Sequence, residues 1–351
     1  MKKILLIFSL ALFIITGCSK ETEPQVDNID RPVIGETPEV PVVEEPAKEL
    51  EPIKEGKPSP LSGIYEQDEI VDQRVVAVMF DNHPSARWQA GLKDAEVVYE
   101  IPVEAPYTRY IGLYLLNSPE SIGPIRSARP YFVTKVLEFD AVYARVGGSE
   151  QAKSDIRNFG IADIDGLTSS SNVFWRKSGK KAPHNLYSSM EVLREAQKER
   201  GYSLLGKYEG FKFYEEDTVV EGSPAHSIFI NYMSNNTTKY VYDSDTKLYN
   251  REKDGKIHID ESDQSPIRAK NIIIQETTIK VIDKDGRLSV ALEGEGSGVF
   301  ITNGVSNNIK WVKESRKGKT FYYDESGNEI ILNPGHTWIQ IVGTKTTIEI
   351  E

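Results

Sequence analysis

The residue types able to do chemistry crowd into one stretch, from Asp81 to Ser189. Asp81 and Asn82 end a run of Val, Met and Phe, which places them at a strand C-terminus, where sites often form. Arg87 and Gln89 follow in a loop. Glu100 closes the next apolar run, Glu104 lies just beyond it, and Arg109 opens the run after that. Arg126 and Arg129 stand at a helix start; His184 and Asn185 occupy a short polar loop before another helix. Carboxylates, a histidine and arginines together could move a proton on an anionic substrate. A carboxylate pair cleaves glycosidic bonds when ~5–5.5 Å apart with retention, or ~6.5–9.5 Å apart with inversion.

A second reading needs no substrate. Helix starts carry unpaired N–H groups and a partial positive charge, so Arg126 and Arg129 are poorly placed there without anionic partners. Asp81, Glu100 or Glu104 could be those partners, giving a structural ion-pair network. A ligand carboxylate or phosphate could serve equally. Gly147-Gly148-Ser149 is another candidate anion nest, and also an ordinary tight strand–helix turn. His184 fits a general base, a ligand group or a hydrogen-bonded structural histidine.

Other chemistries find no support. His83, His226, His258 and His336 lack metal-ligand spacing, and no HExxH, GxSxG, P-loop or Rossmann glycine pattern is present. Neither a metal nor another cofactor is expected. The formal net charge of −11 argues against nucleic acid as a partner.

Periodicity supplies the elements that must hold these residues. Strands are predicted over 74–80, 95–101, 110–116 and 140–146, with helices over 128–138 (Ser127 as N-cap) and 150–159. A third helix is expected from the capping box Ser188-x-x-Glu191 to Gly201. Beyond residue 211 the pattern turns to short strands over 227–233, 239–242, 271–275, 288–292, 299–301, 310–312, 320–323, 330–332 and 337–342. The fold class is α/β (α+β): layered sheets with helices in the N-terminal half, and mostly antiparallel β in the C-terminal half. Expected domains are 61–210 (α/β) and 211–351 (β-rich).

Residues 1–17 read as a lipoprotein signal peptide. Lys2 and Lys3 precede an apolar run, Ile4 to Ile15, too short for a permanent span of ~20 residues. Ile15-Thr16-Gly17-Cys18 resembles the bacterial lipobox, and Cys18 is the only cysteine in the chain. The expected partner is therefore the lipid bilayer, through a diacylglyceryl Cys18, at the extracytoplasmic face of the cell membrane. No thiol remains for disulfides or thiolate chemistry. Residues 18–60 hold eight prolines, and residues 20–60 carry eleven acidic against five basic residues, the composition of a disordered tether.

Taken together, the chain resembles the YerB-like lipoprotein family of bacterial envelope proteins. The resemblance rests on residues 78–82, 86–92, 95–100, Thr108-Arg109, 122–132, 147–149 and 182–189. In the second half it rests on 294–296, 302–304, Trp311 and 333–339. It implies a layered α/β fold with a β-rich C-terminal part, and no established reaction. Two positions depart from the family pattern: Ala105-Pro106-Tyr107 replaces small glycine-rich residues, and Arg145 stands where a histidine is frequent.

The function expected first is a non-catalytic binding or scaffold module of the envelope, engaging wall polymer or an envelope protein. The alternative is a hydrolase or transferase using Glu100 or Asp81 with His184, its arginines holding an anionic substrate. Convergence of these residues on an open site favours a ligand; burial of the arginines against the carboxylates favours a scaffold. The anchor has its own test. Labelled fatty acid should enter the wild-type protein and not Cys18→Ser; label retained by the variant would overturn the lipobox assignment.

Overall fold

All six residues from Val76 to Asp81 are buried, so this strand must be covered on both faces. The computed structural model describes residues 54–233 and 235–351; the signal segment, Cys18 and the tether up to residue 53 lie outside the described residues. In chain order the elements used below are β1 (Val76–Asp81), β2 (Val97–Pro102), β3 (Thr108–Tyr114), α1 (Pro130–Glu138), β4 (Val142–Arg145), α2 (Glu150–Phe159) and β5 (Asp163–Asp165). Then come α3 (Met190–Glu199), β6 (Ser227–Met233), β7 (Asn236–Asp243), β8 (Leu248–Lys253), β9 (Asn271–Thr277), β10 (Gly294–Thr302), β11 (Val305–Lys313), β12 (Thr337–Gly343) and β13 (Thr347–Ile350).

One eleven-stranded sheet contains the order β11-β10-β9-β12-β2-β3-β1-β4-β5. Strand β12, from near the C-terminus, enters between β9 and β2, parallel to both, and sets Gln340 opposite Glu100. A six-stranded antiparallel sheet carries β8-β7-β6-β13. The alternation along β1 feeds two cores. Val76, Val78 and Phe80 join Ile228, Ile230, Tyr240 and Tyr249 of the second sheet and Leu193 of α3. Ala77 and Met79 join Phe132, Val133 and Val136 of α1 and Ile156 of α2. Helices α1 and α2 thus cover one face of the large sheet, and the second sheet with α3 covers the other. This is the α+β fold the pattern predicted, with few helices and many strands.

A buried carboxylate binds the two sheets together. Glu100 faces the second sheet with its side chain fully enclosed. Its Oε1 accepts from Thr108 Oγ1 at 2.6 Å and Lys253 Nζ at 2.9 Å; its Oε2 accepts from Arg251 Nη2 at 2.5 Å and Thr238 Oγ1 at 3.2 Å. Lys253 completes its three donors on Asn236 and Thr238. The Arg251 guanidinium lies 4.3 Å from the Trp338 ring centroid, and its Nη1 meets His258 Nδ1. Burial alone would push the Glu100 carboxyl up, but Lys253 and Arg251 hold it down to about 2. Burial lowers His258 well below its usual range, with Arg251 adding to the effect, so the ring is neutral.

Several elements differ from the periodicity, each for a visible reason. Helix α1 starts at Pro130, not Ala128, because the proline disfavours helical backbone at the residue before it: Arg129 is extended (φ −132, ψ 158) and takes the N-cap position. The box at Ser188 does not form: its hydroxyl donates to Val173 O, and Ser189 caps α3 by accepting from Val192 N. Residues 330–332 make single contacts rather than a strand, Ile330 N to Tyr322 O and Leu332 N to Lys212 O. Order begins before residue 61: Lys57–Pro58 pairs with Tyr65–Glu66, and the buried Ser59 donates to Glu96.

The enclosed pair predicts a stability cost. Glu100→Gln strands two buried cations and should lower the unfolding free energy by about 3–5 kcal/mol at pH 7 in denaturant titrations. Because the folded carboxyl is depressed to about 2, its contribution is complete above the unfolded value of ~4.3 and is lost as pH falls toward 2. A loss under about 1 kcal/mol would contradict this account.

Candidate functional site

The site is built by a strap, residues 122–128, that crosses the ends of several elements. Ile122 pairs with Ser188, Gly123 with Ala90, Phe80 with Ile125, and Ala128 with Gly148. Hydrogen bonds from Arg126 N to Met79 O and from Ile125 N to Leu186 O complete the stitching. Four separate sequence segments are thereby fixed around one point. Gly123 makes the crossing possible: at φ +151 a Cβ would lie 2.8 Å from Tyr187 Cδ1 and 2.9 Å from Leu186 O. The bridge between Ala128 and Gly148 also brings the positive starts of α1 and α2 near each other.

On this frame Asp81, Arg126 and His184 meet. Asp81 Oδ2 lies 2.7 Å from His184 Nδ1 and 3.2 Å from Arg126 Nε. The Arg126 contact is an ion pair without hydrogen-bond alignment, so among the described residues its buried Nε has no hydrogen-bond partner. His83 stacks on His184 with ring centroids 4.4 Å apart, and Tyr107 tilts against His83 at 4.7 Å. Burial, then His184, lowers His83 from its usual range. An Asp–His pair with a second imidazole stacked on it can hold or pass a proton and can face an anion.

Asp81 also stands opposite Arg109 in the β1–β3 register, which links this group to a second one. Arg129 Nε donates to Glu104 Oε1 at 2.6 Å; Arg109 reaches Glu104 Oε2 only at 3.8 Å and donates to Ser127 O at 2.8 Å. Burial is the largest influence on Arg109, neighbouring Arg129 adds to it, and Glu104 opposes both only in part; the guanidinium falls to about 10. Among the described residues, three guanidiniums thus share two carboxylates, Asp81 and Glu104. The cluster is under-neutralised and partly open: Arg126 keeps 26% of its side chain exposed, Glu104 25%.

The other candidates face inward. Asn82 donates to Thr108 Oγ1 at 2.8 Å and accepts from Arg87 Nε at 3.1 Å, while Arg87 pairs with Asp254. Gln89 donates to Asp81 O and meets His258 Nε2, each at 2.8 Å. Glu100 therefore lies away from the cluster but is joined to it through Thr108–Asn82 and through Arg251–His258–Gln89. Asn185 braces its own loop, donating to Lys177 O and Lys180 O and accepting from Arg176. Arg145 is held by Asp163 and Asp165. Sequence reasoning missed Arg251, Lys253 and His258; a strand with alternating Tyr249, Arg251 and Lys253 was the available signal. It also missed His83 and Tyr107 as site residues. Among the described residues no group of three His, Cys, Asp or Glu side chains is placed to hold a metal.

Comparison with known proteins agrees with this architecture. Residues 61–203 match the family described as "Protein of unknown function (DUF3048) N-terminal domain", and residues 228–339 match its C-terminal domain. A Bacillus subtilis (strain 168) protein, "Putative lipoprotein YerB", is 33% identical over 288 residues, covering 81% of this chain and 86% of that one. The crystal structure of YerB protein from Bacillus subtilis superposes with a TM-score of 0.76 at 32% identity, covering 83% of this chain and 99% of that one. The chain belongs to this YerB-like, DUF3048 family.

The strap gives a direct prediction. Gly123→Ala should destabilise the protein by about 1–3 kcal/mol in denaturant titrations, because backbone and the Tyr187 ring must both move. Unchanged stability would show that the strap has slack the geometry denies.

Proposed function

We propose that this chain is a lipoprotein held on the extracytoplasmic face of the membrane by diacylglyceryl Cys18, whose head binds an anionic polymer of the cell envelope. The single observation carrying the binding role is the set of three guanidiniums, Arg109, Arg126 and Arg129, served among the described residues by Asp81 and Glu104. An oxyanion there supplies the missing counter-charge and accepts from guanidinium nitrogens that protein groups leave free. The lipobox supports the anchor, as does the name of the Bacillus subtilis relative. A tether of Pro-rich, like-charged composition suits a head that must reach polymer beyond the lipid surface.

A catalytic reading keeps one observation, the 2.7 Å Asp81–His184 pair, in which Asp81 would orient His184 as a general base. Glu100 has no part in that scheme, because its carboxylate is enclosed and fully engaged by Arg251, Lys253, Thr108 and Thr238.

Titrating the lipidated full chain with phosphate-bearing wall polymer tests both readings. Binding should weaken about tenfold or more in Arg126→Ala/Arg129→Ala, and it should fall with added salt. Equal binding by wild type and double variant would overturn the proposal, and so would capture of only an envelope protein in crosslinked cells. Polymer shortened by wild type but not by His184→Ala would favour catalysis.

A further inference from the structure

The strap and the hairpin beside it form a cationic surface larger than the arginine cluster. Residues 121–137 and 166–190 contain no Asp or Glu, although 53 of the 351 residues are acidic and the formal net charge is −11. The two acid-free stretches are bound edge to edge. Trp175–Arg176 pairs with Leu186–Tyr187 as a short hairpin. On one side the Leu186 carbonyl accepts from Ile125 N of the strap at 2.7 Å; on the other, Arg176 stands opposite Leu186. Two strand spacings of ~4.8 Å therefore put Arg176 about 10 Å from the strap residue that precedes Arg126.

The hairpin presents its cations from a braced loop. Asn185 Nδ2 donates to the carbonyls of Lys177 and Lys180, each at 3.0 Å, and its Oδ1 accepts from Arg176 Nη1 at 2.7 Å. Lys177 Nζ lies 4.4 Å from the centroid of the Tyr187 ring, the ring that packs against Gly123 of the strap. Arg176 and Lys181 are exposed. Glu261 neutralises Lys180 at 2.9 Å, but among the described residues no carboxylate pairs with Arg176, Lys177 or Lys181. The loop ends in His184, whose Nδ1 meets Asp81 beside Arg126, so the hairpin and the arginine cluster are parts of one continuous surface.

A single anion at the arginines leaves the three hairpin cations unserved. A flat lipid surface would meet Lys181 but not Arg126 and Arg129, which are recessed to 26% and 16% side-chain exposure. A flexible chain with anionic groups at intervals reaches both. Three guanidiniums also offer more donors than the two oxygens of one carboxylate can take, and a phosphodiester adds its ester oxygens as acceptors. We infer that the hairpin is a second anion subsite, at Arg176, Lys177 and Lys181, and that the ligand is a linear phosphodiester polymer running from the arginine cluster past the strap to this loop. This rests on the anion-binding reading above and names the form of the ligand for it.

The test titrates the lipidated full chain, in phosphatidylcholine nanodiscs with empty nanodiscs subtracted, against glycerol 3-phosphate and a glycerol-phosphate decamer. Affinities are compared per phosphate. The decamer should bind about a hundredfold more tightly, because its second contact is intramolecular once the first is made. Lys177→Ala/Lys181→Ala should weaken the decamer about tenfold, flatten its dependence on salt and leave glycerol 3-phosphate unchanged. Lys181→Glu, at an exposed position, should act in the same direction and keeps the test valid if loss of Lys177 from the Tyr187 ring disturbs the hairpin. Arg126→Ala/Arg129→Ala should weaken both ligands. Equal binding of the two ligands by wild type, or decamer binding that neither hairpin variant changes, would overturn the inference and leave the anion site standing. Binding to phosphatidylglycerol vesicles that both hairpin variants lose, with no gain for the decamer, would overturn it in favour of a lipid surface. Binding of neither ligand would remove the anion site and the inference together.

Discussion

A carboxylate sealed between two sheets imposes a constraint that reaches most of this structure. Glu100 is carried by β2 in the middle of the large sheet, while its cationic partners Arg251 and Lys253 are carried by β8 in the other sheet. Charges in such a place are costly unless each is paired and hydrogen-bonded. Here the four acceptor positions of Glu100 and the three donors of Lys253 are all used. The requirement fixes the lateral position of one sheet on the other in a way that apolar contacts, which are non-directional, do not. Trp338 of β12 closes over Arg251, so the strand that knits the two halves of the chain into one sheet also seals the pair.

The same network reaches the surface. From Glu100 one branch runs through Thr108 to Asn82, and another through Arg251 and His258 to Gln89, which holds the backbone carbonyl of Asp81. Asp81 thus presents its carboxylate from a rigid mount. The division of labour follows from charge balance. Inside, cations and carboxylate are enclosed, and the four acceptor positions of Glu100 and the three donors of Lys253 are met. Outside, among the described residues, Arg109, Arg126 and Arg129 outnumber Asp81 and Glu104, and Arg126 Nε has no hydrogen-bond partner. The inner network explains the fold; the outer imbalance is what points to a ligand.

How much of this was legible in the sequence depended on whether burial went with apolarity. Strand β6 is bounded at Ser227 and Met233 in both readings, because Ile228 and Ile230 alternate with polar neighbours as a half-buried strand requires. Strand β8 was missed for the opposite reason. It alternates just as regularly, but two of its three buried positions are Arg251 and Lys253, which composition reads as solvent-facing. Glu100 was legible as unusual but not as enclosed, since Arg251 lies 151 residues away in the chain. Asp81, Arg126 and His184 were identifiable by type and by their places at element ends. The strap that brings them together is irregular backbone bridged at single residues, and no periodicity marks it. The start of α1 shifted for a local reason: Pro130 takes the first helical position and the residue before it, Arg129, is extended.

The account stands on the claim that the outer arginines need an anion and the inner one does not. Side-chain Nε–Hε resonances of arginine, followed by NMR as phosphate is added to the full chain, test it most directly. The account predicts saturable shifts at Arg126 and Arg129 while Arg251, sealed against Glu100 and Trp338, stays fixed. No saturable shift at Arg126 or Arg129, or an equal response at Arg251, would contradict it.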